Sequence, residues 1–311
     1  MGSVLTVTFN PALDLTTETE LVEPTVKLRC GPPQVEAGGG GINVARVLRR
    51  LGCDAKAFAL LGGVAGEEVL ACLQAEGLPV ESQRIAGRTR QSLTVGERAS
   101  GEQYRFVLPG PDVGVGETAA AFRNIETLLE RTDLVVASGS LPPGMPIDSF
   151  ASLTRMARAA GKRLALDSSG KALATALAER PWLVKPNLEE FAEIIGYRPA
   201  PSELEGLARD FVADGRAENL LLSLGAEGAL LVNGSGLWRR RPPPARLLSA
   251  VGAGDSMLAG FIAAILGGAS PEAALAQAVA AGTAALMTPG TELCRVEDIE
   301  RLCAEIRGVA N

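Results

Sequence analysis

The stretch Leu248-Ser249-Ala250-Val251-Gly252-Ala253-Gly254-Asp255-Ser256-Met257 decides how the rest of the sequence is read. Gly252, Ala253 and Gly254 leave the backbone almost bare, and the carboxylate of Asp255 follows at once. Behind them Met257, Leu258, Phe261, Ile262, Ile265 and Leu266 recur at helical spacing, which predicts an apolar helix over 254–266. The first N–H groups of such a helix have no intrahelical acceptor and carry the positive end of its dipole. Anions, phosphate above all, sit well there. A carboxylate beside an anion hole makes sense as a proton acceptor, so Asp255 is a candidate base for an attacking hydroxyl. A plain helix start, for which Gly, Asp and Ser are ordinary caps, explains the same residues equally well.

The remainder of the chain has to decide between these readings. At 311 residues, 47% hydrophobic and 21% charged, it has ample material for a core. A net charge of −6 and scarce aromatic residues argue against a nucleic-acid partner, which needs a basic face and stacking platforms. The absence of histidine removes His bases, Ser-His-Asp triads and His metal ligands together. Five scattered cysteines without a C-x-x-C pair read as reduced intracellular thiols. The start MGSVLTVTFNPALD has no signal-peptide character, and the most apolar run, 257–269, is too short to span a bilayer. A soluble, cytoplasmic protein is expected, with no membrane partner.

Outward from the opening stretch, strands and helices alternate. Strands are predicted over 4–8, 55–61, 134–138, 164–167, 183–185 and 220–224, and helices over 66–77, 149–160, 189–196, 202–214, 273–287 and 296–307. A further helix follows the run Gly38-Gly39-Gly40-Gly41-Ile42-Asn43, with Val44, Val47, Leu48 and Leu51 on one face. This alternation implies an α/β fold, a mostly parallel sheet covered on both faces. Two pieces break the rhythm, about 14–36 and 84–109, and read as β without helices; an extended segment is expected over 27–36, with Pro32 and Pro33 confining it to an edge. Strands donated from these two insertions to one domain, 1–311, would form a small sheet closing as a lid over the carboxyl ends of the main strands.

Four further groups of residues have both a chemical and a structural explanation. The glycine run with Asn43 either lets a polar ligand approach the backbone or is a flexible turn. It is not G-x-G-x-x-G, and no G-x-x-x-x-G-K-[ST] occurs, so dinucleotide and P-loop chemistry are disfavoured. In Lys185-Pro186-Asn187-Leu188-Glu189-Glu190, Asn187 and Glu190 stand at capping-box spacing, and they are equally suited to hold the water shell of Mg2+ with Lys185 near a nucleotide phosphate. Ser223-Leu224-Gly225-Ala226-Glu227-Gly228 is a tight turn or a phosphate loop. Asp14, Lys27, Arg90 and Arg105 are singly surface charges; together they supply what a sugar phosphate needs, an acceptor for hydroxyls and cations for the dianion.

As a set, these motifs resemble the ribokinase-like (PfkB) carbohydrate kinases. Gly38-Gly39-Gly40-Gly41-Ile42-Asn43-Val44-Ala45 is similar to their first signature, Val251-Gly252-Ala253-Gly254-Asp255-Ser256 to their second, and Lys185 to Glu190 to their N-x-x-E motif. Phe9-Asn10-Pro11-Ala12-Leu13-Asp14, Ser138-Gly139-Ser140-Leu141-Pro142-Pro143-Gly144 and Asp167-Ser168-Ser169-Gly170 resemble its phosphofructokinase/tagatokinase branch. There the unbroken glycine run, Lys27-Leu28-Arg29-Cys30 and Ser100-Gly101-Glu102-Gln103-Tyr104-Arg105-Phe106 look like the bacterial minor-isozyme pattern. Asn10-Pro11-Ala12 departs from that pattern toward the 1-phosphofructokinase or tagatose-6-phosphate kinase form.

The resemblance implies a three-layer αβα kinase with a β lid, transferring phosphate from ATP to a sugar phosphate. Fructose 6-phosphate is the first substrate choice; a 1-phosphofructokinase, a tagatose-6-phosphate kinase or, more remotely, an inactive nucleotide-binding regulator are the alternatives. Asp255 would be the base, with Gly252, Ala253 and Gly254 forming the anion hole. Asp14, Gly38, Gly39 and Asn43 would bind sugar hydroxyls, and Lys27, Arg90, Arg105, Ser138 and Gly139 would lie near the sugar phosphate. Lys185, Asn187, Ser223, Gly225 and Gly228 would line the ATP phosphates and ribose, with Val279 and Thr283 bracketing adenine. Mg2+ would sit at Glu190 through water. K+ would sit among Ser249, Val251, Ala285, Thr288, Gly290 and Glu292. A homodimer clasped through the lids is implied as well.

Overall fold

The computed structural model describes residues 2–290 and 292–308. In chain order the elements are β1 (Ser3–Thr8), β2 (Ala12–Thr19), β3 (Gln34–Gly38), α1 (Gly40–Arg50), β4 (Asp54–Leu61), α2 (Gly63–Ala75), β5 (Val80–Arg84), β6 (Arg90–Glu97) and β7 (Gln103–Val107). They continue as α3 (Val115–Leu129), β8 (Leu134–Ser138), α4 (Ser149–Ala159), β9 (Arg163–Asp167), α5 (Gly170–Ala176), β10 (Leu183–Val184), α6 (Leu188–Ile195) and α7 (Leu204–Ala213). The last are β11 (Asn219–Ser223), β12 (Ala229–Asn233), β13 (Gly236–Arg240), α8 (Ala253–Leu266), α9 (Pro271–Leu286) and α10 (Val296–Gly308).

Nine strands form the main sheet in the order β13-β12-β11-β10-β9-β8-β1-β4-β5. It is parallel from β11 to β5, and β12 and β13 close one edge antiparallel. Alternate residues of one strand feed opposite faces, as the period of two demands. Val4, Leu134 and Val136 pack with α1, α8, α9 and α10, while Leu5, Val7, Val135 and Ala137 pack with residues of α3 to α7. The result is the three-layer αβα arrangement. From β1 the chain winds outward to β4 and β5, then returns to β8 and winds the other way. The carboxyl ends of β1 and β8 therefore flank a topological switch point, where α/β sheets place their ligands.

A second sheet of four strands runs β3-β2-β6-β7. Here the sequence reading needs correction. The segment predicted as extended over 27–36 contributes only Gln34–Gly38; residues 27–33 carry no regular structure and are almost wholly exposed, because Pro32 and Pro33 cannot donate to a ladder. Its partner in the sheet is β2, Ala12–Thr19, which starts two residues before the piece read as β from about 14. β5, α3, α5 and the hairpin of β12 and β13 also lie where no element is predicted. Helix α8 is buried all round its circumference rather than along one stripe, since α1 and α9 both pack on it. No helix among the described residues is long and apolar enough to cross a membrane.

Candidate active site

The turn at 249–255 is a helix start and a bare one. Gly252 takes the left-handed φ of 72° as N-cap of α8, and no side chain caps the helix. Ser256 N is the first amide of this helix to close on a carbonyl, that of Gly252 at 2.8 Å. The amides of Ala253, Gly254 and Asp255 precede it and have no intrahelical acceptor.

Asp255 is held from three directions. Asn43 Nδ2, in the first turn of α1, donates to its Oδ2 at 2.9 Å, and Ser138 Oγ, at the carboxyl end of β8, donates to Oδ1 at 3.4 Å. Gly40 closes the third side: a methyl group on its Cα would overlap Ser138 Oγ and come within 3.1 Å of Asp255 Oδ1. A bare residue is required there because three elements meet at one point. Burial, reinforced by the negative charge of Asp167, pushes the Asp255 carboxyl up to about 6; the Asn43 hydrogen bond and Lys185 restrain it. A carboxylate so placed is ionised near neutral pH yet basic enough to take a proton in a transition state.

Lys185 follows β10 and is buried, its Nζ 3.1 Å from Asp167 Oδ1 at the end of β9. The same ammonium lies beside Gly254, 3.2 Å from where a Cβ would stand, so it sits next to the first amides of α8. Burial works against its charge, but Asp167 and Asp255 outweigh that and hold its pKa above the usual lysine value. Asp167 is pushed up by burial against the pull of Lys185. Glu190 also bears on the ammonium, so three carboxylates converge on one cation.

Asn187 and Glu190 form the capping box of α6: Asn187 Oδ1 accepts from Glu190 N at 2.9 Å and Glu190 Oε2 from Asn187 N at 2.8 Å. Burial and then Asp167 raise the Glu190 pKa despite that backbone bond. Ser223 ends β11 in a bridge with Asn187, and Gly225 and Gly228 flank a single helical turn beyond it. Val279 and Thr283 stand together on α9, both buried, with the Thr283 hydroxyl bonded back to the Val279 carbonyl at 2.7 Å. In this structure they belong to the core rather than to an open surface.

The second sheet brings another group together. Asp14 on β2 lies against the Cα of Gly38 on β3, with Arg90, Ser92 and Arg105 as charged or hydrogen-bonding neighbours. Burial raises the Asp14 pKa and lowers that of Arg90, each offset by the other's charge. Arg90 also donates to the carbonyls of Asn10, at 3.2 and 3.3 Å, and of Leu108, at 3.4 Å. Gly139 N is fixed on the Asp167 carbonyl at 2.9 Å, beside Ser138. Gly39 joins β3 to α1 with φ 130°. Lys27 stays exposed in the connection between β2 and β3, and no hydrogen bond or ion pair joins it to Asp14 or Arg90.

An oxygen-rich loop lies just upstream of the bare turn. Ser249 Oγ donates to the Gly290 carbonyl at 3.0 Å and accepts from Val251 N at 3.2 Å; Thr288 Oγ1 shares its one proton between the carbonyls of Ala285 and Leu293, 2.9 and 2.7 Å away. Glu292 is turned away from this group: its carboxylate pairs with Arg295 and its carbonyl accepts from Arg50 at 2.7 Å. Among the described residues no cluster of three or more Cys, Asp or Glu forms a ready metal cage. Asp167, paired with Lys185, is a residue of this group that sequence reasoning missed, although it carried a signal in ending a predicted strand.

The arrangement unites a helix start with free amides, a largely buried carboxylate with raised pKa and, on the second sheet, a carboxylate with two arginines. A family model described as pfkB family carbohydrate kinase matches residues 7–298. The chain is 40% identical over 309 residues to the ATP-dependent 6-phosphofructokinase isozyme 2 of Escherichia coli strain K12, covering 98% of this chain and 99% of that protein. It is 37% identical over 267 residues to the 1-phosphofructokinase of Xanthomonas campestris pv. campestris, covering 84% of each. The crystal structure of phosphofructokinase-2 from Escherichia coli in complex with potassium matches with a TM-score of 0.93 at 38% identity, over 99% of this chain and 100% of that one. Match and geometry span the same residues, and the chain belongs to the pfkB family of carbohydrate kinases.

Proposed function

We propose that this protein is an ATP-dependent sugar-phosphate kinase converting D-fructose 6-phosphate to D-fructose 1,6-bisphosphate in glycolysis, in the cytoplasm. The observation that carries the reading is Asp255, seated on the first turn of α8 under Asn43 and Ser138. Asp255 takes the proton of the sugar's primary hydroxyl as that oxygen attacks the γ-phosphorus; the bond to the bridging oxygen breaks and ADP leaves with the electron pair. The amides of Ala253, Gly254 and Asp255, with Gly252 setting the turn, hold the charge on the group in transit, and Lys185 stands beside them. Asp14, Gly38, Gly39 and Asn43 bind the sugar hydroxyls, while Arg90, Arg105, Ser138 and Gly139 face its phosphate. Lys185, Asn187, Ser223, Gly225 and Gly228 line the ATP phosphates and ribose; Val279 and Thr283 form the wall behind the base.

Asp167 and Glu190 leave excess negative charge around one lysine, which suits a hydrated divalent cation arriving with the nucleotide. Glu190 would hold Mg2+ through water there, and the cation would supply charge neutralisation to the phosphate oxygens. The neutral oxygens of Ser249, Ala285, Thr288 and Gly290, beside Val251, suit a weakly hydrated monovalent cation, and K+ there steadies the loop that leads into the anion hole. The potassium complex of the Escherichia coli enzyme supports this choice.

The protein acts as a homodimer through the second sheet, which serves as a lid. Val35, Leu15, Leu93 and Phe106 form an apolar row across its four strands, and Leu93 and Phe106 remain 37% and 53% exposed. A second copy would cover this row, and exposed Lys27 would serve the neighbouring site. Phe106→Glu should shift the sedimenting species to monomer. The relative named 1-phosphofructokinase keeps fructose 1-phosphate as the second reading. ADP release measured with fructose 6-phosphate, fructose 1-phosphate and tagatose 6-phosphate tests both. The highest kcat/KM is expected for the first; no ADP with any of the three would sink the kinase reading.

A further inference from the structure

The Asn43 amide has two ends, and each is held. Its Nδ2 donates to Asp255 Oδ2 at 2.9 Å, and its Oδ1 accepts from Arg46 Nη1 at 3.5 Å. Arg46 follows three residues later on α1, so the two side chains share one helix face. Its side chain is only 5% exposed. Nε and Nη2 grip the Glu76 carboxylate just beyond α2, and Nη1 also donates to the Ala37 carbonyl of β3 at 2.7 Å. A guanidinium buried this far is tolerated only when its donors are used, and these reach three separate elements.

An amide is nearly symmetric in shape but opposite in character at its two ends. Turned by half a rotation, Asn43 would aim its carbonyl oxygen at the Asp255 carboxylate. Two acceptors would then face each other, and Asp255 could escape the repulsion only by taking up a proton, which would disable it as a base. The other charged groups facing Asp255 are Asp167 and Lys185, from the ends of β9 and β10, and no hydrogen bond joins either to Asn43.

We propose that Arg46 is a positioning residue for phosphoryl transfer, locking the Asn43 amide with its N–H toward Asp255 and anchoring that lock to Glu76 and β3. The inference rests on the kinase reading above; Arg46 itself touches neither Asp255 nor a substrate. Its test compares wild type, Arg46→Lys, Arg46→Met, Asn43→Ala and the double variant Asn43→Ala/Arg46→Met. ADP release with MgATP and fructose 6-phosphate is followed across acidic and neutral pH, with melting temperatures and a carbon NMR titration of the Asp255 carboxyl alongside.

Both Arg46 variants should lose about tenfold in kcat, and the acid limb of kcat should move up by about one pH unit, the scale of one hydrogen bond to a charged group. Lysine does not rescue, because one ammonium cannot serve Glu76, Ala37 and Asn43 at once. The double variant should be no worse than Asn43→Ala alone, since Arg46 acts through that amide. Arg46→Lys keeps the buried charge and covers the case in which methionine prevents folding. Folded Arg46 variants with an unmoved acid limb overturn the lock, as does a loss that adds in full to that of Asn43→Ala. Should wild type release no ADP, the kinase reading fails by itself. The NMR titration then still decides: Asp255 moves up in the Arg46 variants, or the lock is refuted.

Discussion

Replacing Asp255 by asparagine separates a chemical role from an energetic cost. The carboxyl is raised from 3.8 to about 6 in the folded protein, chiefly by burial. The difference, 6 less 3.8, is about two units, or roughly 3 kcal/mol at about 1.4 kcal/mol per unit. A raised acid binds its proton more tightly in the folded state than in the unfolded one. The wild type therefore loses relative stability as pH rises from 3.8 through about 6 and carries the full cost above that. Asparagine has no charge to desolvate, and its side-chain oxygen still accepts from Asn43. Asp255→Asn should be more stable than wild type by up to about 3 kcal/mol at slightly alkaline pH, with the two converging below the unfolded pKa. With unfolding entropy of about 2.1 cal/mol/K per residue, a protein this size gains about 4–5 °C in Tm.

The same change should depress kcat by about 10²–10⁴-fold with little effect on sugar binding. Wild-type kcat should fall about tenfold per pH unit below the Asp255 pKa. Calorimetry at two pH values and ADP-release kinetics read both effects. A variant that keeps near-normal turnover would refute Asp255 as the base. Equal melting temperatures on the alkaline side would refute burial as the cause of its raised pKa.

Arg90→Ala should raise KM for the sugar phosphate by at least about tenfold and leave KM for ATP nearly unchanged, because the guanidinium faces Asp14 on the second sheet. A selective ATP defect would move Arg90 to the nucleotide side. Gly40→Ala should cost about 1–3 kcal/mol of stability and most of the activity, since its methyl overlaps Ser138 Oγ beside Asp255; wild-type kcat in that variant would mean the packing at this point is irrelevant to the chemistry. Exchanging K+ for tetramethylammonium at constant ionic strength should lower kcat/KM severalfold, and Thr288→Val should raise the K+ needed for half-maximal rate. Indifference to both changes would remove the cation from the loop.

The carboxyl-end residues of the main strands were legible because those strands are apolar, short and bounded by turn residues. β8 falls where 134–138 is predicted, and Asp255 opens its helix as the glycines demand. β2 was legible only as part of the β piece at about 14–36; its alternation of Leu and Thr with polar residues suits a strand, but its parallel pairing with β6 joins residues far apart in the chain. The segment around Lys27 misled because proline favours extended backbone yet cannot donate to a ladder, so only the residues after Pro33 pair as a strand. α3 buries a row of Thr118, Ala121, Ile125 and Leu129 whose first two members are small or polar and do not announce a core face, and α5 is only seven residues long, too short to show a period.

By itself the sequence determined the alternating α/β layout, the bare turn with its carboxylate, the glycine run before α1 and the exclusion of histidine chemistry. These follow from local rules of helix period, turn chemistry and composition, which act over a few neighbours. Only the tertiary structure decided that Asp255 is buried far enough for its pKa to rise, that Asp167 and Lys185 pair beside the helix start, and that Arg46 reaches Glu76. Each depends on solvent exclusion or on contact between distant segments, and no run of residues encodes a dielectric or a distance until the chain has folded.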